Sequence, residues 1–94
     1  MSERTTPALT KLDALLASLD RLPATSERDS LIEDTSALRR AVAAFHMEAI
    51  RFRMYSVDRL LKDAAGADES RRIFDEVRQA LEEAGFHTRS HSAP

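Results

Sequence analysis

Apolar residues recur at helical spacing through most of the chain, and the polar positions between them divide it into three segments. In the first, Leu9, Leu12, Leu16 and Leu19 follow one face, and Leu15 and Leu22 widen it. This period predicts an amphipathic helix. Thr6 can cap it with Pro7 at its first position, where a missing N–H costs nothing, and Pro23 ends it, so the helix spans about 6–22.

The second segment opens at Ser30, which has Glu33 three residues on in capping-box spacing; Thr25 or Ser26 could cap an earlier start. From there to Ala65 the chain has no Gly or Pro. The pattern therefore predicts one helix over 30–65, about 36 residues or roughly 54 Å at 1.5 Å per residue. Asp34, Thr35 and Ser36 are poor interior helix formers and mark the place where it could break.

Gly66 suits the left-handed position that closes this helix, and Asp68 can cap a third over 68–84. Ile73, Val77, Ala80 and Ala84 form its apolar row, flanked by Phe74 and Leu81. Gly85 supplies the stop, Phe86 can fold back on Leu81, and 86–94 is a polar, flexible tail. The short link at Gly66 predicts that the second and third helices form an antiparallel hairpin.

The expected fold is all-α: three helices, with a long central second helix flanked by two shorter antiparallel ones. One domain accounts for 94 residues. A compact globule of this size is only about 32 Å across, so a 54 Å helix implies an elongated molecule.

Within the long segment, Leu31, Leu38, Val42, Phe45, Ala49 and Phe52 share one direction. Ile50, Met54, Val57, Leu61 and Ala64 follow a stripe turned by about 100° from it. Two stripes on one rod imply two differently placed partners. From Phe45 to Tyr55 the chain is apolar on nearly every side, more than one hairpin partner can cover. Such excess marks an interface. A homo-oligomer follows, most simply a two-fold dimer, with Phe45, Met47, Ile50, Phe52 and Met54 at the contact.

The same stretch carries the best candidate for chemistry. Glu48, Arg51 and Tyr55 fall on one side of the helix, with Glu48 and Arg51 spaced as an ion pair, while His46 and Arg53 share another direction. His46, Glu48, Arg51, Arg53 and Tyr55 could line a pocket for a small anion or carboxylate, since arginine offers a planar donor fork. The alternative is that they satisfy one another across an interface.

Composition narrows the remaining classes. With no cysteine there is no disulfide, thiolate catalysis or zinc–thiolate site. His87 and His91 are four apart, but Gly85 interrupts the helix that would bring them together, so no metal or cofactor is expected. Fourteen Lys and Arg against 16 Asp and Glu leave a net charge of −2. Arg71, Arg72 and Arg78 precede Asp75, Glu76 and Glu82 by four residues, and Asp58 and Arg59 precede Lys62 and Asp63 likewise. A face neutralised in this way is not a phosphate track, and no nucleic-acid partner is expected. No apolar run is long enough for a signal peptide or a membrane span, so the expectation is a cytoplasmic protein with no membrane partner. No nucleophile elbow or glycine-rich phosphate loop is present. The chain reads as a non-enzymatic, self-associating helical module with an interaction, scaffold or regulatory role. A small-ligand-binding bundle or small enzyme using the mid-helix cluster is the alternative.

Overall fold

The computed structural model describes residues 3–86. A 3-10 turn at Glu3–Thr5 leads into α1 (Thr6–Asp20), followed by α2 (Ser26–Ala43), α3 (Met47–Asp63) and α4 (Asp68–Glu83). Pro7 lies in the first turn of α1, and Thr5 rather than Thr6 stands at its N-cap. The Thr25 hydroxyl caps α2 by accepting from the Arg28 backbone N–H at 3.1 Å. The earlier of the two possible starts is therefore the one used, five residues before Ser30. Residues 87–94, which include most of the expected tail and both His87 and His91, lie outside the described residues.

Four helices replace the expected three, because the long central helix does not exist. Helix α2 ends at Ala43, and Phe45 takes a left-handed backbone with φ of 63°. The His46 N–H donates to the Ala41 carbonyl at 3.0 Å, and the Phe45 N–H to that of Val42 at 3.1 Å. This paired closure normally uses glycine at the left-handed position. Phenylalanine there costs about 1–2 kcal/mol of backbone strain. Its ring packs on Phe86, with centroids 5.1 Å apart. One residue later His46 starts α3, its Nδ1 accepting from the Ala49 N–H at 3.3 Å.

The reversal explains the two apolar stripes. The first stripe is divided: Leu31, Leu38 and Val42 lie on α2, whereas Phe45 falls at the corner and Ala49 and Phe52 on α3, with Phe45 and Phe52 exposed. Leu31, Leu38 and Val42 of α2 are buried, and so are Ile50, Met54, Val57 and Leu61 of α3. Burying each of these large side chains contributes about 1.5–3 kcal/mol, which outweighs the strain at Phe45. Asp34 and Thr35, the expected weak point, lie inside a continuous α2.

Helix α3 ends at Asp63, and Gly66 takes the expected left-handed backbone with φ of 72°. Arg71 of α4 donates to the exposed end of α3, at the carbonyls of Leu61 (2.6 Å) and Ala64 (3.4 Å). Ala67 is the N-cap of α4 and makes no side-chain cap bond, so Asp68, the expected cap, is instead its first residue. Gly85 and Phe86 close α4 in the same manner as Phe45 and His46 close α2. The Phe86 N–H donates to Leu81 at 2.9 Å, Gly85 has φ of 99°, and the Phe86 side chain is buried.

The order of packing also departs from expectation. Helix α4 lies chiefly against α1, α2 lies against α3 and α1, and α3 touches α4 only lightly despite the short link between them. The predicted hairpin across Gly66 is thus replaced by an α1–α4 pair and an α2–α3 pair. Ser18 and Ser70 meet inside the α1–α4 seam at 2.7 Å. Ser18 gives its proton to the Leu15 carbonyl, so Ser70 is the donor between the two hydroxyls. Outside the seam, Lys11 pairs with Glu76 and Arg21 with both oxygens of Glu69. Arg39 of α2 binds both oxygens of Asp13 on α1. Of the i,i+4 pairs expected within helices, only that of Asp58 with Lys62 forms among the described residues. Arg71 and Arg78 turn back to Asp68 and Asp75, while Lys62 keeps Asp58 at 3.5 Å. The molecule measures 34 × 32 × 19 Å with a radius of gyration of 12.5 Å, so it is compact rather than elongated. Among the described residues no helix is long and apolar enough to cross a membrane.

Two outcomes test this fold. Phe45→Gly and Phe45→Ala remove the same ring, but only alanine retains the left-handed strain. The glycine variant is expected to be the more stable by about 1 kcal/mol in denaturant unfolding. A continuous helix would reverse that order, since glycine is the poorer helix former by about 1 kcal/mol. The second concerns Asp13, whose carboxyl is held below its ordinary range chiefly by its hydrogen bonds from Arg39. The pair's contribution is present above the unfolded aspartate value near 3.9 and is lost as pH falls through the lower folded one. Both groups are exposed, so it amounts to less than about 1 kcal/mol. Asp13→Asn is expected to lower stability slightly at pH 6 and to match the parent protein at pH 2.

Candidate functional site

The five residues read as a ligand cluster take up separate tasks. His46 sits at the start of α3, and its acceptor nitrogen engages the helix backbone. Only an imidazole with Nδ1 unprotonated can make that bond. Glu48 and Arg51 are exposed and make no ion pair with each other. Arg53 turns inward to α2. Tyr55 points outward, 61% exposed, with the Arg59 guanidinium 5.8 Å from its ring centre. A shallow groove of about 310 Å³ includes Tyr55 and is otherwise lined by Phe52, Ser56, Arg59, Leu60 and Asp63. The structure does not bring His46, Glu48, Arg51 and Arg53 into it.

Arg53 meets the one carboxylate that, among the described residues, is nearly withdrawn from water. Asp34 is only 7% exposed, and its Oδ1 accepts from Arg53 Nη1 at 2.6 Å while its Oδ2 accepts a short hydrogen bond from the Ser56 hydroxyl. Both carboxylate oxygens are engaged, and the arginine's charge is matched. The arrangement ties α2 to α3 on the far side of the reversal and offers no free lone pair aimed at a cavity, as a general base would need. Reading Asp34 only as a poor helix former missed this role. The sequence signal is faint: an acid on the inner face of one helix and an arginine and a serine on the next.

Neither the buried hydroxyls nor the acids build a further centre. Ser18 and Ser70 bond to each other, and Ser18 to the Leu15 carbonyl; among the described residues neither hydroxyl has a hydrogen bond to a histidine that could activate it. Among the described residues no group of three or more His, Asp or Glu side chains could hold a metal ion.

What the surface does present is apolar. Phe45, Met47, Phe52 and Tyr55 are 46%, 42%, 60% and 61% exposed, the large hydrophobic side chains left outside the core among the described residues. All four lie on α3 or at the corner leading into it. Of the five residues expected at an interface, Phe45, Met47 and Phe52 are on this surface, whereas Ile50 and Met54 are buried in the monomer's own core. Tyr55 had been assigned to the ligand cluster, yet it stands beside Phe52 on the outer face. Arg53 packs over Phe52 at 5.2 Å and Arg59 over Tyr55, so these two exposed rings are each bordered by a cation.

Asp34→Ala is expected to destabilise the protein by about 1–2 kcal/mol, because it leaves the Ser56 hydroxyl and the partly exposed Arg53 guanidinium without their partner. In a double-mutant cycle with Arg53→Ala, about 1 kcal/mol or more of that loss should appear as coupling. Additive losses in urea unfolding would mean that the pair does not tie the helices.

Comparison with known protein families, with curated proteins and with solved structures gave no match for this chain.

Proposed function

We propose that this chain is a non-enzymatic helical interaction module that self-associates through the outer face of α3 and the corner between α2 and α3. The observation that carries the reading is the exposed set Phe45, Met47, Phe52 and Tyr55, gathered on one element while every other large apolar side chain among the described residues is at least partly buried. Scattered exposed hydrophobes are ordinary, whereas a concentration on one face is characteristic of interfaces. Two aromatic side chains bordered by arginine match the composition of interface centres.

The reading as a small anion-binding bundle or enzyme has less support. Its central arginine is neutralised by Asp34, and the groove beside Tyr55 also carries the acid Asp63. As a dimer, the protein acts by presenting two copies of one small bundle in a set orientation, which suits a scaffold or a regulatory module.

Light scattering across about 10–500 µM tests the proposal, a range suited to a small interface. The mass is expected to rise toward twice 10.5 kDa with concentration. A Phe52→Ser, Tyr55→Ser variant should stay at 10.5 kDa with a melting temperature near that of the parent protein, since both residues lie outside the core. A monomer at every concentration would remove the reading.

A further inference from the structure

The outer face of α3 carries a charge pattern that selects both the occupant and its orientation. Glu48, Phe52, Tyr55 and Arg59 are separated by four, three and four residues. At 100° per residue these positions fall within about 60° of one another, the spacing of a helix seam. All four are exposed. Neither Glu48 nor Arg59 forms an ion pair within the described residues, although neighbouring charges on the same helix do: Arg53 with Asp34, and Lys62 with Asp58.

The series reads acid, aromatic, aromatic, base: its spacing is symmetric about the midpoint between Phe52 and Tyr55, and its charge reverses across that point. A second copy laid parallel would set Glu48 against Glu48 and Arg59 against Arg59. A copy laid antiparallel sets each Glu48 against the other copy's Arg59, and each Phe52 against the other copy's Tyr55. A two-fold axis produces this arrangement with the same surface on both sides, as a closed homodimer requires.

We infer that a second copy of this chain docks antiparallel on α3 about a two-fold axis between Phe52 and Tyr55, with Glu48 of each copy facing Arg59 of the other. The inference rests on the self-association proposed above and supplies its register. Four aromatic rings form the centre of the contact, in reach of offset or edge-to-face packing. The two ion pairs close its ends, about 16 Å apart along the helix at 1.5 Å per residue. Arg59 already lies over the Tyr55 ring, so its guanidinium is held at the edge of the aromatic centre, near where the partner's acid arrives. The contact is small, which places it among exchanging rather than permanent dimers.

Charge reversal tests the register. Glu48→Arg and Arg59→Glu each convert both symmetric contacts into like-charge pairs, and the double variant restores both with the charges exchanged. In sedimentation at low salt each single variant is expected to weaken the dimer at least about tenfold. The double variant should return to within about threefold of the parent protein, and added salt should shrink these differences. All four residues are exposed, and thermal melts of each variant check that the monomer fold is intact. If the parent protein dimerises but the single reversals bind as tightly as it does, or the double variant is not restored, the antiparallel register is wrong and self-association stands. If the parent protein is monomeric throughout, the self-association reading itself has failed.

Discussion

Reversal of the chain at Phe45 lets one side of α2 and one side of α3 close over the same interior. Without it, Leu31, Leu38 and Val42 would point about 100° away from Ile50, Met54, Val57 and Leu61 along a single rod. Neither set could then be covered by a chain this short. The reversal needs a left-handed residue, and the sequence supplies phenylalanine, not glycine. What holds it there is the sum of weak local terms and strong distant ones. Two backbone hydrogen bonds close α2, an imidazole opens α3, and the Phe45 ring rests on Phe86 at the end of α4. Behind these stands the burial of both apolar stripes. The strain is tolerable because the core on either side over-determines the turn.

Polar contacts then decide which surfaces meet. Asp34 with Arg53 and Ser56 joins α2 to α3, and the two serines join α1 to α4. The surface bridges from Lys11, Arg21 and Arg39 contribute little stability individually, but each disfavours a competing alignment of its helices. Arg71 is the most economical of these side chains. It pairs with Asp68 in its own helix while satisfying carbonyls at the end of α3, so the tight turn at Gly66 needs no other cap. The result is a bundle in which neighbours in sequence are not always neighbours in space. Helix α4 crosses to α1, leaving the outer side of α3 uncovered by the other described helices.

That uncovered side gives α3 two distinct faces. Its inner face is aliphatic and completes the core, and its outer face carries Phe52 and Tyr55 between an acid and a base. The exposed aromatics are unnecessary to the monomer's packing, which is complete without them, and this is what points to a role in association. In the proposed association its self-complementary charge favours a second copy, because the same four residues would supply both halves of the contact.

Much of the fold was legible in the residues alone. Leucine and valine periodicity identified an all-α chain, Pro23, Gly66 and Gly85 marked three of the boundaries, and the surplus of apolar side chains between Phe45 and Tyr55 was visible as a surplus. The reversal at Phe45 was not, because no glycine, proline or capping serine announces it, and a run without breakers reads as one helix. Its trace was the rotation between the two apolar stripes, a signal about tertiary placement that periodicity within one helix cannot interpret. Asp34 shows the same limit. Its residue type indicates a poor helix interior, whereas its partners on α3 make it a tie between helices. Sequence by itself determined that the chain is helical and where its apolar positions recur, since both follow from local stereochemistry and spacing. Only the tertiary structure decided where the long segment turns, which apolar residues are buried and which are left exposed, because those depend on contacts between residues distant in the chain.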